Sequence, residues 1–101
     1  MTNDNNYTSN VANEILSHIM NVYYNINNNS NLILYKNKIS PETFDNIIDL
    51  VKFRNNNLRQ INTSNYYFEC SYNNIPIIVK YNCFNNDSNN NNNYFQIYVK
   101  T

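Results

Sequence analysis

The stretch from Tyr66 to Phe84 alternates with a period of two on either side of Asn73-Asn74, and a β-hairpin is the fold element that such a pattern demands. A two-residue turn pairs Tyr72 with Ile75, Cys70 with Ile77, Phe68 with Val79 and Tyr66 with Tyr81, so every pair on one face is apolar or aromatic. Asn tolerates positive φ at both central positions of that turn, which matters in a chain without glycine. On the other face the same register sets Glu69 against Ile78 and Tyr67 against Lys80, with Glu69 and Lys80 as diagonal neighbours. Pro76 has no N–H and belongs where that donor would point away from the partner strand.

Upstream the period changes. Val11, Ala12, Ile15, Leu16, Ile19, Met20, Val22, Tyr23 and Ile26 recur at three- and four-residue spacings and predict a helix over 10–26. Residues 1–9 have no apolar period and read as a flexible tail. Leu32-Ile33-Leu34-Tyr35 followed by Lys36-Asn37-Lys38 predicts a strand over 31–38 near a sheet edge. Ser40-Pro41-Glu42 supplies a cap, a proline at the first helical position and an acid in the first turn, which starts a second helix running to Arg54. Its apolar face is Phe44, Ile47, Ile48, Leu50 and Val51. Seven of the nine residues in 85–93 are Asn, a polar tract with nothing to bury and therefore a disordered loop. Alternation resumes from Tyr94 to Lys100 as a last strand. The expected fold is thus α+β, with two helices packed on one face of a four-stranded, mainly antiparallel sheet in the order αβαβββ, and with residues 10–101 forming one domain.

Composition narrows the function classes. Seven Lys plus Arg balance seven Asp plus Glu, so no net charge draws nucleic acid or an anionic membrane from a distance. The polar N-terminus lacks a basic signal region and no stretch approaches the length of a membrane span, which predicts a cytoplasmic protein, in the host cytoplasm if the source is viral. Abundant Asn, Ile, Tyr and Phe point to an AT-rich genome, viral or microbial.

Motifs for chemistry are weak. His18 borders the first helix's apolar stripe and could pair with Cys70 or Cys83 as base and nucleophile, but a boundary histidine explains it as well. The two cysteines sit on opposite strands roughly 20 Å apart at about 3.3 Å per residue, too far for a disulfide, and are read as buried free thiols. One His and two separated Cys offer no tetrahedral metal set, and no glycine exists to build a phosphate cradle. Glu42, Asp45 and Asp49 form an acidic stripe that reads as a solvated, dipole-matched helix face. No catalytic residue, metal site or cofactor is expected.

The aromatic content carries the functional expectation. Ten Tyr and five Phe are present, and the alternation puts Tyr67, Tyr94 and Tyr98 on the sheet face away from the helices, with Phe84 as a further candidate. Lys80, Gln96 and Lys100 share that face. The predicted role is a small non-enzymatic protein-interaction domain whose partner-binding residues are Tyr67, Lys80, Tyr94, Gln96, Tyr98 and Lys100, and whose partner is another protein or a second copy of the chain. The alternative is a weak single-stranded nucleic-acid module using the same rings as stacking platforms. These rings are expected to serve association and hardly at all folding.

Overall fold

A computed structural model describes residues 3–83 and 93–101. The chain is α+β, with helix α1 (Asn3–Tyr24), strand β1 (Asn31–Tyr35), helix α2 (Pro41–Arg54) and strands β2 (Leu58–Ser64), β3 (Tyr67–Tyr72), β4 (Ile75–Asn82) and β5 (Tyr94–Val99). The strands form one antiparallel sheet in the order β1-β5-β4-β3-β2, so the sheet has five strands and not the four expected. The additional strand is β2. It holds only two apolar residues, Leu58 and Ile61, and its register slips between Gln60 and Asn62, so no continuous alternation marks it in the sequence. Its backbone pairs with β3, whose outer edge would otherwise lack partners.

The hairpin has the predicted register: Phe68 faces Val79, Cys70 faces Ile77 and Tyr72 faces Ile75. Asn73 and Asn74 take φ of 49° and 70°, the left-handed pair that a type I′ turn requires. The Pro76 carbonyl accepts from the Lys100 N–H, so the nitrogen of Pro76 also faces the β5 side and points away from β3. Tyr66, expected as a strand residue, instead sits in the β2–β3 turn at φ 59°, although its carbonyl still accepts from the Tyr81 N–H at 2.9 Å. That conformation is costly for an aromatic residue. Tertiary contacts hold it: the Tyr66 ring meets Phe44 edge-on and lies 5.3 Å from Tyr81, and its hydroxyl donates to the Ile39 carbonyl.

Helix α2 has the predicted bounds, with the Ser40 hydroxyl accepting from the Thr43 N–H at 3.1 Å. Helix α1 begins at Asn3 instead of Asn10, through the segment expected to be a flexible tail, and ends at Tyr24 instead of Ile26. A polar contact reaches its second and third turns: Arg54 donates to the Ser9 carbonyl at 3.0 Å, the Ser9 hydroxyl at 2.8 Å and Asn13 Oδ1 at 2.8 Å. Apolar periodicity could not report such a contact. The first strand ends at Tyr35 and not at Lys38, because the chain beyond it turns its carbonyls inward. Tyr81 donates to both the Lys36 and Asn37 carbonyls, at 3.1 and 2.8 Å.

Both helices lie on one face. Val11, Ile15, Ile19 and Val22 of α1 and Phe44, Ile47 and Val51 of α2 bury themselves against Phe68, Cys70, Ile77, Val79, Phe95 and Ile97. Of the polar tract 85–93, read as a disordered loop, residues 85–92 lie outside the described residues, as does Phe84. Asn93, at the end of that tract, is buried, and its carbonyl accepts from the Lys36 N–H at 3.1 Å.

Candidate interaction face

The sheet face that the helices leave uncovered is assembled from the alternate residues of every strand. Its cross-strand rows follow from the registers. Asn62, Glu69, Ile78, Tyr98 and Asn31 form one row, and Ser64, Tyr67, Lys80, Gln96 and Ile33 the next. Asn82, Tyr94 and Tyr35 form a third, while Arg59, Ser71 and Pro76 lie in line beside the N–H that Lys100 gives to Pro76. The sheet therefore brings Tyr67, Lys80, Tyr94, Gln96, Tyr98 and Lys100 to one face. It adds Ile33 and Tyr35 from β1 and Arg59 from β2. Neither strand's contribution was marked by the alternation of the hairpin and of the last strand that located the other six.

This face is a thin second layer and not a bare sheet. Ile78 is only 2% exposed, yet it stands outside the core cluster beneath the helices, so side chains of its own face seal it. Tyr98 lies directly across from it and Tyr67 diagonally. Both rings are half-buried. The expectation that they contribute hardly at all to folding does not hold for Tyr67 and Tyr98, since a ring that dries Ile78 also stabilises the sheet.

Among the described residues Glu69 is the only acid on the face, and it is 7% exposed. Lys100 reaches both of its oxygens, at 3.2 and 3.3 Å, and the Tyr67 hydroxyl donates to Oε1 at 3.3 Å. The expected diagonal partner was Lys80; the ion pair goes to Lys100 instead, which stands level with Pro76 on the far side of β4 and reaches across that strand. Burial, and then the neighbouring Glu69 carboxylate, push the Tyr67 phenol above its ordinary pKa, so it stays a donor at neutral pH. Arg59 and Lys80 join Lys100 against that one carboxylate, so the described residues of the face are net cationic although the whole chain is neutral.

Toward β1 the patch opens to solvent. Ile33 is 40% and Tyr35 66% exposed, and the Tyr35 ring lies 5.8 Å from that of Tyr94 at a tilt of 59°. Tyr24 and Phe53 are also exposed, but they sit singly on α1 and α2 and form no patch with this face.

Of the residues weighed for catalysis, Cys70 is engaged within its own hairpin. The Cys70 thiol lies against the Ile77 carbonyl of its own hairpin at 3.6 Å, and burial, with Glu69 next, pushes it up to about 12, so it remains a thiol. No disulfide joins the two cysteines; Cys70 is buried and Cys83 half-buried against the core. Among the described residues no hydrogen bond reaches the buried His18 Nδ1, no group of three metal-binding side chains converges, and no helix is long and apolar enough to cross a membrane. Comparison with known proteins returned no matching family model, no similar curated protein and no similar solved structure.

Proposed function

We propose that the chain is a small protein-interaction domain without catalytic role, and that the outer sheet face is its docking surface. The observation that carries this is the asymmetry of the sheet. One face is closed by two helices, while the other presents Tyr67, Tyr94, Tyr98 and Tyr35 with Ile33 around a sealed Ile78. Rings of this kind offer large amphipathic area at low entropic cost, and a contiguous patch of several approaches the few hundred Å² that monomers seldom leave without a use. Gln96 and Lys80, between the rings, would give polar rim contacts. A variant carrying Tyr67→Ser, Tyr94→Ser and Tyr98→Ser is expected to lose a host protein captured by the wild type, whereas Phe53→Ser on α2 retains it. Equal capture by both variants would place the docking surface elsewhere.

One observation favours a second reading, single-stranded nucleic acid on the same face. Arg59, Lys80 and Lys100 stand among the rings against a single carboxylate, a local excess of cations that the neutral total conceals. Anisotropy of a labelled oligonucleotide that rises with this protein and collapses on adding salt would support that reading. No change at low salt would remove it.

A further inference from the structure

We propose that strand β1 is a self-recognition edge, and that two copies of the chain join there, antiparallel across a two-fold axis through Ile33, into one continuous sheet. The inference rests on reading the chain as an interaction domain, but uses a different surface from the ring-lined face.

The parity of the backbone comes first. The Lys36 N–H donates to the Asn93 carbonyl, so Lys36, and with it Leu34 and Leu32, point their backbone groups at β5. Asn31, Ile33 and Tyr35 then point theirs at the free edge, where no described residue pairs with them. A two-fold axis through Ile33 sets Ile33 opposite its own copy and Asn31 opposite Tyr35 of the second copy. Those are the residues with outward-facing donors and acceptors, so each N–H on the edge meets a carbonyl. A register shifted by one would bring inward-facing groups into the seam.

Charge permits the same pairing. Asn31–Tyr35 contains no charged residue, so a copy meets no like charge in the seam. Lys36 falls opposite Ser30 of the second copy, and Glu14 holds its ammonium at 2.7 Å. The opposite edge of the sheet is guarded: β2 carries Arg59 and a register slip at Ile61, both devices that discourage strand addition. Strand β1 has neither. Joining two copies there also makes the ring patches continuous, because Tyr35 of one copy comes beside Asn31 of the other, whose cross-strand neighbour is Tyr98.

Sedimentation equilibrium of the full chain over a concentration series tests the proposal. The wild type is expected to approach twice 12.0 kDa. Ile33→Pro removes an outward donor without touching the β5 ladder, and should give the monomer mass. Ile33→Lys and Ile33→Glu each place like charges about 5.5 Å apart on the axis and should be monomeric alone, yet form a mixed dimer when combined. That rescue requires both variants to be folded. A wild type that is monomeric throughout overturns the proposal, as does a dimer that survives both Ile33→Pro and Ile33→Lys. A dimer lost on Tyr67→Ser with Tyr98→Ser but kept by Ile33→Lys would also overturn it, while supporting the ring face as a contact surface. Retained dimer in that ring variant with unchanged protein capture would sink the docking-face reading alone.

Discussion

Lys100 clasps both carboxylate oxygens of Glu69, at 3.2 and 3.3 Å, on the sheet face that has no helix above it. Glu69 is the nearly buried partner and Lys100 the half-exposed one, so the two are not equivalent. Removing the cation leaves a dry carboxylate with only the Tyr67 hydroxyl as donor. Lys100→Ala is expected to cost about 1–2 kcal/mol, below the usual toll of breaking a fully buried pair because solvent reaches the ammonium. Lys100→Ala combined with Glu69→Gln should recover part of that loss in urea unfolding. A single variant as stable as the wild type would show that the pair contributes nothing.

The rings above Ile78 have a stability role that is separable from binding. Tyr98→Ser uncovers an isoleucine that is 2% exposed, and a loss of about 1–2 kcal/mol is expected from the apolar area returned to water. Tyr35→Ser, at an already solvated ring, should cost less than about 0.5 kcal/mol. Thermal melts of the two variants side by side check the contrast.

Two phenol hydroxyls pin the crossover between β1 and α2, Tyr81 on the Lys36 and Asn37 carbonyls and Tyr66 on that of Ile39. Tyr81→Phe and Tyr66→Phe keep the rings in the Phe44 and Phe95 cluster and remove only the donors. Each is expected to lose about 1 kcal/mol, with faster amide exchange confined to residues 36–40. Unchanged exchange there would mean that the loop is held by other contacts.

Alkaline pH should unfold the protein through Cys70 and Tyr81, both pushed up to about 12 chiefly by burial. In the unfolded chain they lose their protons near 9 and 10, so above those values the unfolded state binds fewer protons and stability falls. Below pH 9 neither group contributes a slope, and their stabilising effect is fully present. Cys70 between about pH 9 and 12, and Tyr81 between about pH 10 and 12, each contribute a decline approaching about 1.4 kcal/mol per pH unit. Cys70→Ala should lower stability at pH 7 but flatten the decline that begins at pH 9. An unchanged slope in that variant would remove Cys70 from the account.

The hairpin turn is built from asparagine where glycine would be easier. Asn74, at φ 70°, is expected to accept Asn74→Gly with a gain of about 0.5–1 kcal/mol, since the Asn-Gly pair is the preferred type I′ turn. A loss in chemical denaturation would show that the Asn74 side chain contributes more than its backbone strain costs.

Short-range chemistry fixed the elements whose signals are local. Ser40-Pro41-Glu42 set the start of α2 because a cap, a φ-locked ring and a dipole-matched acid act within one turn. Asn73-Asn74 with the flanking alternation set the hairpin register, because a slip of one residue would turn Phe68, Cys70 and Tyr72 out of the core. That alternation, with the one from Tyr94 to Lys100, also separated Tyr67, Tyr94 and Tyr98 from the core set. Tertiary structure decided the rest. Strand β2 exists because β3 offers it backbone partners, and an edge strand with a register slip needs no apolar pattern of its own. Arg54 reaches α1 at Ser9, forty-five residues away, through hydrogen bonds that leave no periodic trace. Glu69 pairs with Lys100, across β4, and not with the diagonal Lys80 on the adjacent strand, a choice that the hairpin register does not make. Whether the helices covered one sheet face or both was likewise settled only by packing, since period-two alternation names two faces without saying which of them another layer will close.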